Sequence, residues 1–171
     1  MQRAIAVLAA FGGCVFLGLT ASNRIRLRLE VLRELCEAVR RLQLGVLYTN
    51  MPVGELLGGC AGRHTGATFH SASERVVGGE RLIDAWLCET ARSPAKIGVF
   101  DCLTERDRQL LNDYFSILGT SGRMAQRESA ELMIHELEQN QLEAEDTYTK
   151  KGRVYRTMGV LLGAGVAILL L

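Results

Sequence analysis

Between Ala4 and Ala21 the chain carries no charged residue. The segment AIAVLAAFGGCVFLGLTA has 18 residues and is about 27 Å long as a helix, nearly the depth of a hydrocarbon core. A stretch of that length and apolarity must be covered, and the sequence predicts a transmembrane helix over residues 4–21. The competing reading is a cleaved signal peptide, with Arg3 as a weak basic start and Thr20-Ala21-Ser22 as a small-residue cleavage site. The apolar run is long for that purpose, and an arginine-rich helix follows it, so a retained anchor is the better expectation.

A second apolar run, TMGVLLGAGVAILLL, occupies Thr157 to Leu171. Its 15 residues reach about 22 Å, which is short for a span. Including Val154 and Tyr155 lengthens it, with Arg153 and Arg156 snorkelling to the interface. Gly159, Gly163 and Gly165 also allow close packing on another helix. A second transmembrane helix is therefore expected over residues 154–171. Arg24, Arg26, Arg28 and Arg33 follow the first run, and Lys150, Lys151, Arg153 and Arg156 precede the second. The outer flanks hold only Arg3. The positive-inside rule then places residues 22–153 in the cytosol, and the basic flanks favour anionic membrane lipids.

The middle reads as all-α, a bundle of about six cytosolic helices. Leu32, Leu35, Val39, Leu42 and Val46 recur at steps of three and four within a helix over residues 25–47. Tyr48-Thr49-Asn50-Met51-Pro52 breaks it. A short helix with Pro52 in its first turn follows, stopped by Gly58-Gly59. Residues 68–77 form another, closed by Gly78-Gly79. Residues 80–91 form a fourth, with Leu82, Ile83, Trp86 and Leu87 on one face and Trp86 as the largest core anchor. Thr104 is the expected N-cap of a fifth, with Asp107 in the reciprocal position. After the turn Gly119-Thr120-Ser121-Gly122, a last helix begins near Arg123. Its stripe is Ala130, Met133, Ile134, Leu137, Ala144 and Tyr148. No proline lies beyond Pro94, so this helix can run on into the final apolar segment, with Gly152 as its weak point. The first long helix is rich in arginine and the last in glutamate. Counting inward from both membrane edges pairs Arg33 with Glu145 and Arg40 with Glu138, as in an antiparallel stalk.

Recognisable reaction chemistry is missing from the sequence. The five cysteines form no C-x-x-C pair and read as small hydrophobes in a reducing compartment. Cys60, His64 and His70 lack metal-ligand spacing. No phosphate loop and no nucleophile motif occurs. Glu136 and Glu138 fall on different helix faces. Net charge is +1, from 20 basic and 19 acidic residues, so no global field points to nucleic acid. No catalytic residue, cofactor or metal is expected.

The order of short motifs along nearly the whole chain resembles the stage III sporulation protein AB family. The matching pieces are Leu44-Gly45-Val46-Leu47-Tyr48-Thr49-Asn50-Met51-Pro52-Val53, then Ala85-Trp86, Leu103-Thr104-Glu105 and Leu118-Gly119-x-Ser121. Leu137-Glu138 and Tyr155-Arg156-x-Met158-Gly159 complete the series. Gly45, Met51 and Gly122 depart from the family pattern. That family is similar to the inner-membrane platform proteins of type II secretion and type IV pilus systems. The resemblance implies a non-enzymatic scaffold in the sporulation complex joining mother cell and forespore. Its implied partners are a secretion-type ATPase and other stage III sporulation membrane proteins, with self-association open. Tyr48, Pro52, Gly119, Ser121 and Arg123 are the expected partner-binding points. The alternative is a structural tether or coiled-coil adaptor with no ATPase partner.

Overall fold

The computed structural model describes residues 2–49, 51–60, 62–91, 99–118, 120, 122–152, 157, 158, 161 and 165, with most side chains before Ser22 and those of 123, 151 and 152 outside that description. Their regular structure is all helical, with no strand among them. The elements are α1 (Gln2–Tyr48), α2 (Val53–Gly58), α3 (Gly66–Val77), α4 (Leu82–Ala91), a 3-10 turn (Val99–Cys102), α5 (Glu105–Ile117) and α6 (Arg123–Thr147). A π-helical turn, Tyr148–Gly152, follows α6. The chain divides into two compact units, Met1–Leu29 with Leu142–Leu171, and Glu30–Gln141.

Among the described residues no helix is long and apolar enough to cross a membrane. The expected spans, residues 4–21 and 154–171, lie mostly outside the described side chains. Four large apolar residues are described in these ends, and all are exposed: Phe16, Leu19, Met158 and Leu161, at 67%, 44%, 52% and 70%.

Within the Glu30–Gln141 unit the α1 stripe is core. Leu32, Leu35, Val39 and Leu42 are buried, as are Ala130, Met133 and Leu137 of α6. Gln141 donates to the Leu32 carbonyl at 3.2 Å, and the Arg40 guanidinium pairs with Glu138. Residue 32 meets 141 while residue 40 meets 138, so these stretches run antiparallel, as the Arg40–Glu138 register predicted. Glu138 and Glu136 are both paired rather than merely solvated, because Arg106 of α5 donates to Glu136 at 3.0 Å. Such exposed pairs contribute ~0.2–1 kcal/mol each, and the apolar stripes hold the helices together.

Four rings join the smaller helices. Trp86 of α4 lies 4.3 Å from Phe115 of α5, 5.6 Å from Phe69 of α3 and 5.4 Å from Phe100 of the 3-10 turn, centroid to centroid. The anchor role expected of Trp86 is what the packing shows. Leu87, expected beside it, is exposed, because α4 turns Leu82, Ala85 and Trp86 inward. The 3-10 turn was not foreseen. It presents Phe100 to the indole, and a single aromatic in a short turn carries no periodic signal.

Capping fixes the start of α5. Asp107 N donates to Thr104 Oγ1 at 3.2 Å, and Thr104 N donates to Asp107 Oδ2 at 2.9 Å. The other carboxylate oxygen accepts from Asn140 Nδ2 of α6 at 2.8 Å. Asp107 and Asn140 are both buried, so one side chain caps a helix and ties it to its neighbour. At the α3–α4 turn Gly79 has φ +98°, a conformation open to glycine at no steric cost.

Candidate functional site

The first predicted points sit where α1 stops. Tyr48 is 80% exposed. Its backbone neighbour Thr49 donates twice to the Gly45 carbonyl, at 2.9 Å from nitrogen and 2.6 Å from the hydroxyl, which closes the helix. Pro52 then stands as the N-cap of α2, with φ −58° and ψ 142°. It lies one residue ahead of the helix rather than in its first turn, because its extended ψ leaves the helical region. Its carbonyl accepts from Glu55 N at 3.0 Å and Leu56 N at 3.2 Å.

Two close approaches hold α2 in place. An added Cβ on Gly45 would lie 2.4 Å from Leu56 Cδ2, so a bare backbone there lets Leu56 pack on α1. Any side chain at this position would press on Leu56. On its other side α2 meets α3 through Gly54, whose carbonyl accepts from Ser73 Oγ at 2.7 Å. A Cβ on Gly54 would come within 3.1 Å of Val77 and 3.2 Å of Val76.

The start of α3 is fixed from α1. Glu34 accepts from His64 N at 3.0 Å, from Thr65 N at 2.9 Å and from Thr65 Oγ1 at 2.9 Å. His64 Nε2 lies 3.1 Å from Glu30 Oε2. The histidine noted in sequence is thus a docking residue, and no group of three or more metal-ligating side chains occurs among the described residues. The available signal was Glu30 and Glu34, an acidic i, i+4 pair within an otherwise arginine-rich stretch.

With α2 and α3 so placed, an open groove of about 810 Å³ forms beside Pro52. Pro52, Val53, Gly54 and Glu55 make one wall and Val76 and Val77 another. Arg81, Leu82 and Ile83 continue it into α4. The far side is Phe115 and Ser116 of α5 with Leu118 and Thr120 just beyond. Of the predicted points Pro52 lines this groove, with Thr120 of the turn after α5, and Tyr48 does not. Gly119 and Ser121 lie outside the described residues, and Arg123 opens α6 with its side chain outside them. On the first residues of α6, Arg127 donates to Glu131 at 2.8 Å. That bond, with a smaller contribution from Tyr48, holds its guanidinium above the ordinary pKa. Sequence reasoning missed Val76 and Val77, and gave Ile83 only to the apolar face of its helix. The trace of the valines was an apolar pair set directly against Gly78-Gly79.

Buried thiols are inert by position. Cys60 donates weakly to the Leu56 carbonyl at 3.5 Å, and burial pushes its pKa up to about 11. Cys36 is raised as well, by burial.

The family model described as stage III sporulation protein AB matches residues 3–171. A solved structure described as stage III sporulation protein AB (SpoIIIAB) superposes with a TM-score of 0.61 at 19% identity, covering 72% of this chain and 97% of that one. At that identity the likeness speaks for the fold alone. No curated protein matches the chain.

Proposed function

The chain belongs to the stage III sporulation protein AB family, and from that premise we propose that it is a non-enzymatic membrane scaffold of a secretion-like channel between mother cell and forespore. In this reading residues 4–21 and 154–171 are membrane helices and residues 22–153 face the mother-cell cytosol. The helical domain couples a secretion-type ATPase to the other stage III sporulation membrane proteins. Tyr48, Pro52 and the turn over residues 119–123 form the contact surface.

The observation that carries this proposal is the exposure of the four large apolar side chains described at the two ends. Phe16, Leu19, Met158 and Leu161 are all exposed on the isolated chain. Large apolar side chains left bare call for a cover, and the arginines and lysines beside both runs suit a lipid headgroup boundary. The groove and Tyr48 supply binding surface without convergent polar chemistry.

Protease protection on sealed membrane vesicles tests the topology. Cleavage of residues 22–153 only from the cytosolic side is expected, and cleavage from the opposite side alone overturns the orientation. Co-isolation from sporulating cells tests the assembly. The other stage III membrane proteins and the secretion-type ATPase should copurify with the tagged full-length chain. Recovery of the membrane proteins without the ATPase, at native expression and with cross-linking, makes the chain a tether instead.

A further inference from the structure

We propose that two copies of the chain pair through the outward faces of α1 and α6, each copy laying its α1 against the α6 of the other. This rests on the scaffold reading above for one premise, that both copies stand in the membrane with the same orientation. The faces themselves belong to the Glu30–Gln141 unit.

Each of the two helices carries a bare face. On α1 the exposed positions Arg33, Glu37, Arg40, Arg41, Leu44 and Tyr48 recur at helical spacing. On α6 Met124, Glu128, Leu132, His135 and Gln139 do the same. The apolar side chains among them stand well out of the core, Leu44 at 56% and Leu132 at 64% exposure. They are also level with one another. Gln141 reaches the Leu32 carbonyl, Glu138 pairs with Arg40, and Tyr48 is close enough to Arg127 to act on its charge. Along this antiparallel pair Leu44 therefore lies level with Leu132, and Tyr48 with the first turns of α6, between Met124 and Leu132. Tyrosine, methionine and arginine beside bare leucines are the residue types of the fully buried centre of an interface.

Symmetry and charge decide what covers this surface. Two copies with the same membrane orientation are related by a two-fold axis along the membrane normal, and the two-fold dimer is the commonest closed assembly. Such an axis keeps every residue at its own depth. With α1 of one copy on α6 of the other, Leu44 meets Leu132 of the second copy, and Leu132 meets its Leu44. The Tyr48 phenol donates to the Glu128 carboxylate of the second copy. Glu37 falls opposite Gln139, and Arg41 falls opposite Glu131 and His135. No acid is set against an acid, and no arginine against an arginine. Pairing α6 on α6 about the same axis opposes Glu128 to Glu128 and Glu131 to Glu131. Pairing α1 on α1 opposes Arg33, Arg40 and Arg41 each to itself. Like charges held in contact disfavour both of these alternatives, so the crossed pairing is the one that the two faces fit.

The test uses two differently tagged full-length copies produced together in membranes, one of them carrying the photocrosslinker p-benzoylphenylalanine at Tyr48. The expected adduct bears both tags, and mass spectrometry places the link between Met124 and Leu132 of the second copy. Leu132→Glu in both copies should lower its yield at least about tenfold, since each new carboxylate is buried against leucine. Adding Leu44→Lys should restore the yield by pairing the two charges across the copies. Both positions are exposed, so the thermal unfolding of the chain should stay in place throughout. Adducts only to lipid or to another protein overturn the proposal, as does a link elsewhere on the second copy or a yield indifferent to Leu132→Glu. If the stage III proteins copurify normally and no two-tag adduct forms, the pairing falls and the scaffold reading stands. If they do not copurify but the Met124–Leu132 adduct forms, the reverse holds.

Discussion

Replacing Asp107 with alanine tests the joint between α5 and α6. Its carboxylate accepts from Thr104 N at 2.9 Å and from Asn140 Nδ2 at 2.8 Å. The substitution strips the capping box, at a cost of about 1 kcal/mol. It also leaves the Asn140 amide buried without its acceptor, at roughly 1–3 kcal/mol. Together the loss should be about 2–4 kcal/mol, which for a chain of this size lowers Tm by about 10 °C. Asn140→Ala alone should cost about 2 kcal/mol, since Thr104 keeps its acceptor. The double variant should be less destabilised than the sum by at least ~1 kcal/mol, because either change alone removes the same bond. Asp107→Asn should fall between, as one carbonyl oxygen cannot serve both donors in place. Urea unfolding of the full-length chain in detergent reads all four through Trp86, the single tryptophan, which sits in the ring cluster beside α5. A loss under ~1 kcal/mol for Asp107→Ala, or strict additivity in the cycle, would refute the claim that this carboxylate couples the two helices.

Three further outcomes are expected. Glu34→Ala removes the acceptor for His64 N, Thr65 N and Thr65 Oγ1. Amide exchange at His64 and Thr65 should accelerate at least tenfold, and unchanged exchange there would mean the loop is held otherwise. Gly45→Ala places a methyl against Leu56 and should cost about 1–3 kcal/mol. Adding Leu56→Ala should recover part of that loss, and full additivity would count against the contact. Stability should fall in alkali. The Cys60 thiol ordinarily titrates at 9.0, and burial raises it to about 11. The unfolded chain therefore loses this proton first as pH rises. The stabilisation is complete below pH ~9 and declines by about 3 kcal/mol as pH approaches ~11. Tyr114, raised by burial and then by Cys60, extends the decline upward. Cys60→Ala should flatten the slope between these values in pH-dependent urea melts, and an unaltered slope would refute the assignment.

The glutamates of α6 show how a surface charge acquires meaning through packing. Glu138 pairs with Arg40 of α1 and Glu136 with Arg106 of α5. Their pairing adds little energy each, and both pairs belong to this one register of α6. The register inferred from charge order held at Arg40 because the two helices run antiparallel and both carry an apolar stripe on the shared side.

Most helix ends and part of the core were legible in the residues alone. Pro52, Gly58-Gly59, Gly78-Gly79 and the Thr104–Asp107 cap act through the backbone within about four residues of themselves, so their effect can be read without knowing what lies nearby. The stripes on α1 and α6 and the anchor role of Trp86 follow from periodicity and size. What tertiary structure decided is whom these residues meet. Asp107 reaches Asn140 across 33 positions, and Glu34 reaches His64 across 30. Gly54 lets α2 close on Ser73, and Pro52 comes to share a groove with Leu118 and Thr120. Each depends on helices brought together by burying apolar faces. That force has no direction of its own, so the partners emerge only once shape and close packing have selected one arrangement.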